Sequence, residues 1–386
     1  MTQRIYEQDA YCRRFEAQVL SCEAQGEAFA VVLDKTAFFP EGGGQAADGG
    51  TINDIAVLDV QQKGEAVVHT LAAPLPVGET VCGVLDWETR FARMQSHAGE
   101  HVLSGWVHRL FGYANVGFHM SDTLMTVDFD GPLTKEDVER VERCANRSIY
   151  ENAPITVSFP SAAELESIDC RSKIEVKEGI RLVTVENVDC CACCAPHPAA
   201  TGEIGCIKVI SFCPYKGGTR LEMLAGVHAL EEYAALNTAH KQIMALLSAA
   251  RDELPQAVEK QLETVRALRA ENQKLSRQLA LATLRPVAVG EAAYALSNGL
   301  SYDELLHCAN HLLENGKETC ILFSKTDGAH LIYVVCGKND VRDIVQKLNA
   351  ALDGKGGGRG NHAQGKIAVV EEQAVCAAAE QLLSNL

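Results

Sequence analysis

No apolar run in this 386-residue chain reaches the roughly 20 residues needed to cross a bilayer. Its first residues, Met1-Thr-Gln-Arg-Ile-Tyr-Glu-Gln-Asp-Ala10, lack the apolar core of a secretion signal, so a cytoplasmic location is expected. Disorder-like tracts are missing too. Hydrophobic residues make up 47% of the chain, which points to two or three folded domains with sizeable cores. Positive charge is scarce: 35 Lys and Arg face 51 Asp and Glu, a formal net charge of −16. That balance opposes indiscriminate nucleic-acid binding. The deficit is uneven, however. Residues 240–285 hold eight Lys/Arg against five Asp/Glu, and residues 338–366 hold six against three, so each is net +3 and the remainder carries −22. A polyanion therefore has a place to dock in the C-terminal half.

Cysteine is not scarce. There are 15, an odd count, and Cys190, Cys191, Cys193 and Cys194 crowd one stretch. Without a secretion signal, that pattern favours reduced thiols and metal over a disulfide framework. A matching stretch is Gln95-Ser-His-Ala-Gly-Glu-His-Val-Leu103. Val102, Leu103, Trp106, Val107 and Leu110 recur at helical spacing before Gly112, which places His97 and His101 one turn apart on one face. Cys193 and His197 are also four apart, and Pro196 and Pro198 put His197 on a turn. Three imidazoles and a thiolate make a tetrahedral shell suited to Zn2+. Cys190, Cys191 and Cys194 compete with Cys193 for the sulfur position, and spacing alone does not choose among them. Glu100 sits one residue before the second histidine, so the chain lacks His-Glu-x-x-His and the protease base that goes with it. Glu100 reads as an exposed helix carboxylate and, like Gln45, is only a weak catalytic candidate.

The fold class expected is α+β multidomain. Residues 1–90 read as a β-barrel from short β-branched runs at 29–33, 55–60, 65–69 and 80–85, interrupted by the glycine-rich loop Phe39-Pro-Glu-Gly-Gly-Gly-Gln45. Residues 91–226 form an α+β unit holding the zinc candidates, with a strand over 121–130, a helix from Thr134, and strands over 155–159, 180–185 and 206–211. Residues 227–286 read as a helical hairpin. Pro255 starts its second helix, and Val265, Leu268, Asn272, Leu275 and Leu279 form a short heptad seam, fit for the first helix or a second subunit. Residues 287–386 alternate helix and strand as a C-terminal α/β domain. Within it the stretch 354–365 reads as a glycine-rich basic loop whose Lys355 and Arg359, with Lys366 beside them, suit phosphate.

These motifs, in this order, resemble the alanyl-tRNA synthetase editing domain. More closely, the chain is similar to its free-standing relatives, the long AlaX-type alanyl-tRNA editing proteins. The resemblance rests on His97 and His101, on Cys193 and His197 followed by Thr201-Gly-Glu-Ile-Gly205, and on the Phe39–Gln45 loop. Residues 354–365 resemble the glycine-rich signature of a DHH-associated C-terminal domain. It implies a trans-editing hydrolase that deacylates Ser-tRNA-Ala or Gly-tRNA-Ala. His97, His101, Cys193 and His197 would hold Zn2+. Gly42, Gly43, Gly44 and Gln45 would lie beside the acceptor end, and Lys355, Arg359 and Lys366 would bind tRNA. A homodimer through the hairpin or the C-terminal domain is compatible with it. The family often has glutamine where this chain has Glu100, and glycines where it has Cys194 and Ala195. Other classes are a non-catalytic tRNA-binding protein with a structural zinc, a metal-buffering protein, and a phosphoesterase. The last needs an upstream aspartate-histidine metal motif that this sequence lacks.

Overall fold

The computed structural model describes residues 2–386 apart from 122, 166, 169, 172–179, 327–329 and 369–370. It is a mixed α+β molecule of two compact units, Met1–Gln242 and Ile243–Leu386.

Alternation builds the N-terminal part. Strands Arg14–Gln25, Ala28–Leu33, Ala66–Leu71, Ile55–Lys63, Gly50–Ile52 and Thr80–Leu85 close in that order into an antiparallel barrel. Phe15, Ala17, Val19, Val31, Leu33, Val60, Val67 and Val81 point inward as its core. The 12-residue strand Arg14–Gln25 has no counterpart in the sequence reading. Its exposed face carries Glu16, Gln18 and Glu23, weak β-formers that hide the inward alternation.

Helix Trp87–Phe111 follows. Asp86 caps it by accepting from the Thr89 N–H at 3.3 Å, and Gly112 ends it at φ 74°. Its apolar face, Ala98, Val102, Leu103 and Val107, packs into one core with Val127, Phe129, Val141, Leu221 and Met223. Those partners come from the sheet Ile207–Tyr215, Gly218–Ala225, Met125–Phe129, Asn115–Met120 and from helix Lys135–Glu151. Thr134 and Asp137 close a capping box at the start of that second helix. The strand expected over 121–130 is shorter, Met125–Phe129, and Asp122 lies outside the described residues. A three-stranded sheet, Ile155–Ser158, Leu182–Val185 and Asp189–Ala192, carries the cysteine stretch.

Helices Val227–Leu247 and Leu254–Thr283 flank a short turn, with Pro255 in the first turn of the second. Leu268, Leu275 and Leu279 are exposed, while Ala280 is buried with Leu284 in the core of the second unit. Among the described residues no helix is long and apolar enough to cross a membrane.

The second unit centres on a six-stranded sheet ordered Val287–Val289, Ala292–Asn298, Thr319–Lys325, His330–Gly337, His362–Ala368, Gly354–Arg359. One pair, Ala292–Asn298 with Thr319–Lys325, is parallel, and helix Tyr302–Glu314 makes that crossover. Helices Arg342–Leu352 and Glu372–Ser384 add their apolar residues to the core cluster around Phe323 and Tyr333.

The basic glycine stretch is not a loop. Residues 354–359 and 362–368 pair as an antiparallel hairpin at the sheet edge. Glycine's low strand propensity makes such a run look like a loop, yet the glycines are what admit the packing. A Cβ at Gly356 would meet Tyr333 Oη at 2.3 Å, and one at Gly365 would meet the same ring at 2.5 Å. Tyr333 Oη donates to Asn349 Oδ1 at 2.7 Å, and Asn349 Nδ2 donates to the Gly356 carbonyl at 3.2 Å. The hairpin is thus fastened over a buried tyrosine.

Candidate metal centre

Polar groups are buried only at a cost that something must offset. The helix Trp87–Phe111 nevertheless buries Arg90, Ser96, His97, Glu100, His101 and Ser104. The two histidines stack with ring centroids 5.4 Å apart, and His197 stands edge-on to both at 5.1 and 4.9 Å. Cys193 Sγ lies 3.3 Å from His97 Nε2. One ligand atom from each of His97, His101, Cys193 and His197 lies within 4.8 Å of all the others.

Each imidazole has an acceptor at Nδ1. His97 meets Gln45 Oε1 at 3.1 Å, His101 meets Asp189 Oδ2 at 2.9 Å, and His197 meets the Ala195 carbonyl at 2.9 Å. Those acceptors hold a proton on Nδ1 and turn Nε2 toward the cluster. His197 Nε2 is buried without any hydrogen-bond partner. That orphaned nitrogen, beside a thiol and two more imidazoles, fits a cation of the zinc type.

Charge follows the same arrangement. Burial would raise the Cys193 thiol, but His97, His197 and His101 outweigh it and hold it well below its ordinary value. Burial lowers the His197 imidazole to about 4. It acts the same way on His101, where hydrogen bonds donated to Asp189 and Cys193 reverse the sign and push the ring well above 6.5. Burial would lift Asp189, yet His101 and Arg171 pull it down to about 2. Arg171 grips Asp189 at both oxygens, 2.9 and 3.0 Å. Arg181 holds the ligand turn itself, donating to the carbonyls of Cys193 at 2.7 Å and Ala195 at 2.9 Å.

Of the competing thiols, Cys191 joins only a trio with His101 and Asp189, and burial lifts it to about 11. Cys190 and Cys194 belong to neither cluster among the described residues. Gly43 and Gly44 turn at φ 59° and 83°, and Gly42 and Gln45 exchange two backbone hydrogen bonds of 3.0 Å across that turn. The turn aims the Gln45 amide at His97. Arg90, buried in the helix's first turn, fixes the approach by donating to Asp48 Oδ2 and to the Ala37 carbonyl at 2.6 Å.

Glu100 is not an exposed helix carboxylate. It is 4% exposed, and its Oε1 accepts from Ser104 Oγ and, at 2.7 Å, from Asn115 Nδ2. Helix periodicity places it beside the apolar face but says nothing about the strand Asn115–Met120 that covers it. The Thr201–Gly205 motif is a brace. Thr201 Oγ1 donates to the Ser148 carbonyl at 2.7 Å, and Glu203 accepts from Tyr11 Oη at 2.7 Å. Asp189, Arg171, Arg181, Asn115 and the Arg90–Asp48 pair were not singled out from the sequence. Their partners lie 12 or more positions away, beyond the reach of local spacing.

A cleft of about 590 Å³ opens onto this cluster, lined by Gly43, His97, Glu100, His101, Phe118 and Arg181 among others. Lys355, Arg359 and Lys366 belong to the second unit. Lys355 pairs with Lys366 and Arg359 with His362, which sets the three cations on one face of the exposed hairpin.

Three family models match: class II (A) tRNA synthetases over residues 10–89, the threonyl and alanyl tRNA synthetase second additional domain over 180–224, and the DHHA1 domain over 287–385. The alanyl-tRNA editing protein AlaX-L of Pyrococcus horikoshii is 28% identical over the full length of both chains. An alanine–tRNA ligase of Ignicoccus hospitalis is 31% identical across all of this chain and 43% of its own. A solved C-Ala domain from Aquifex aeolicus alanyl-tRNA synthetase covers 26% of this chain at 22% identity and a TM-score of 0.23, too slight to support a fold argument. The alanyl-tRNA editing protein Aarsd1 of Mus musculus is 30% identical over 96% of this chain and 95% of its own. With that identity over nearly the whole of both chains, this chain belongs to the alanyl-tRNA editing protein family.

Proposed function

We propose that the chain is a trans-acting hydrolase that removes wrongly attached serine, and glycine by the same route, from tRNA-Ala. The observation that carries this reading is the tetrad His97, His101, Cys193 and His197, with ligand atoms within 4.8 Å of one another and three of its members, His97, His101 and Cys193, lining an open cleft. Those four residues would hold Zn2+; four protein ligands fill a tetrahedral shell, so the ion would polarise a carbonyl or a water only by expanding that shell or releasing a ligand. The chain's own groups do the rest. Gln45, Asp189 and the Ala195 carbonyl fix the imidazoles, so little reorganisation is needed as the ester enters. Gly43 of the Gly42–Gln45 turn lines the cleft without a side chain, a fit for the terminal ribose. An aminoacyl ester is already activated, so orientation and a polarised carbonyl suffice. A polar cleft wall rewards the serine hydroxyl over the alanine methyl more strongly than a size filter would.

The division of labour follows the four segments: barrel 1–90, zinc-bearing editing segment 91–226, helical pair 227–286, and a tRNA-holding segment 287–386 that offers Lys355, Arg359 and Lys366. Incubating the purified protein with Ser-tRNA-Ala, Gly-tRNA-Ala and Ala-tRNA-Ala tests the reading. Loss of serine, and more slowly or not at all of alanine, is expected. Tight tRNA binding with no turnover of any ester would instead establish the non-catalytic alternative.

A further inference from the structure

Glu100 has a feature that the metal centre does not use. Its Oε1 takes both hydrogen bonds the chain offers it, from Ser104 Oγ and Asn115 Nδ2. The Asn115 amide is itself oriented, because its Oδ1 accepts from the Gly117 N–H at 3.0 Å and Nδ2 is left pointing at the carboxylate. Ser104 is fully buried behind. Among the described residues, Glu100 Oε2 receives no hydrogen bond, and Glu100 forms no ion pair. Arg171 and His101 both feel its charge, but each is committed to Asp189. So a carboxylate 4% exposed is clamped at one oxygen by neutral donors, while its residue lines the cleft shared by His97 and His101.

The cations beside this carboxylate are held by Asp189, and its second oxygen, which has no donor, is left to accept from a cation that enters the cleft. The donors are small and rigid, so they fix its position without neutralising it. The substrate class proposed above supplies such a cation in every member: the α-ammonium of the aminoacyl group, two bonds from the ester carbonyl. We infer that Glu100 is the ammonium-binding residue of the cleft, holding the aminoacyl group so that its ester carbonyl lies over the His97–His101 face. This assignment rests on the deacylase reading and deepens it. It makes Glu100 a substrate-positioning group, leaving the chemistry to the metal centre. It also explains why a carboxylate is tolerated one residue from a metal ligand, where a base role would require a different spacing.

The test compares zinc-loaded wild type and Glu100→Gln on two esters, Ser-tRNA-Ala and N-acetyl-Ser-tRNA-Ala, which lacks the positive charge. Glutamine keeps an acceptor for Ser104 and Asn115, so the fold and metal content, followed by thermal melting and metal analysis, serve as controls. Wild type should prefer the free amine by about tenfold or more in kcat/KM, the scale of one charge-assisted hydrogen bond. In Glu100→Gln that preference should collapse toward unity. An undiminished preference, or equal losses on both esters, would overturn the assignment and leave the deacylase reading standing. Failure of the zinc-loaded wild type to turn over either ester would overturn both.

Discussion

Glycine is concentrated in two places, and the two use the missing side chain for different ends. In the first unit, Gly43 and Gly44 supply positive φ, so two residues reverse the chain and aim Gln45 at His97. In the second, Gly356 and Gly365 supply the absence of a Cβ, so a hairpin lies flat on Tyr333. The first glycines serve a buried polar cluster where atoms must meet within a few tenths of an ångström. The second serve a platform whose outward side chains, Lys355, Arg359 and Lys366, are exposed. On the proposed reading chemistry and affinity fall to separate units, and that separation is what mutations can break.

The largest effect is expected at the tetrad. His197→Ala should lower Ser-tRNA-Ala turnover by about three orders of magnitude or more, since on the proposed reading the Zn2+ would be lost with its ligand. Its tRNA binding, followed by filter retention, should stay within about twofold of wild type; a parallel loss of binding would merge the two functions. Asp189→Asn keeps an acceptor for His101 but removes the charge, and should weaken zinc about 10- to 100-fold in chelator competition. Wild-type affinity in that assay would make the His101–Asp189 contact incidental.

Zinc affinity should also climb with pH. In the metal-free chain His101 is raised well above 6.5, so it is protonated at and above that pH until its own folded value is reached. Binding must expel that proton, whereas the lowered Cys193 has already lost its own. Affinity should therefore rise about tenfold per pH unit across that window, one proton per zinc. The same raised value stabilises the metal-free fold at low pH and ceases to do so as pH passes through it. A flat affinity profile from pH 6 upward would contradict the charged His101–Asp189 pair.

The smallest effect falls on the platform. Replacing Lys355, Arg359 and Lys366 with alanine should cut the salt slope of tRNA binding by about one unit per true phosphate contact. The rate at saturating Ser-tRNA-Ala should hold. An unchanged slope would move the anchor off the hairpin.

Local pattern made the helix Trp87–Phe111 legible, with its histidine pair, the helix that starts at Thr134 and the turn bearing Cys193 and His197. Each depends on residues within a few positions of one another. What stayed hidden depends on meetings across the chain. Gln45 finds His97 across 52 positions, Asp189 finds His101 across 88, and Arg90 finds Asp48 across 42. Glu100 reads as a surface carboxylate because helix periodicity cannot show the Asn115–Met120 strand above it. The basic hairpin reads as a loop because its glycines are there for Tyr333, which is more than 20 residues away in the chain.

Metal analysis of three proteins prepared side by side, wild type, Cys193→Ala and Cys194→Ala, addresses the centre of this account. One zinc per chain is predicted in wild type and in Cys194→Ala, and none in Cys193→Ala. Full zinc in Cys193→Ala, or its loss in Cys194→Ala, would contradict the tetrad.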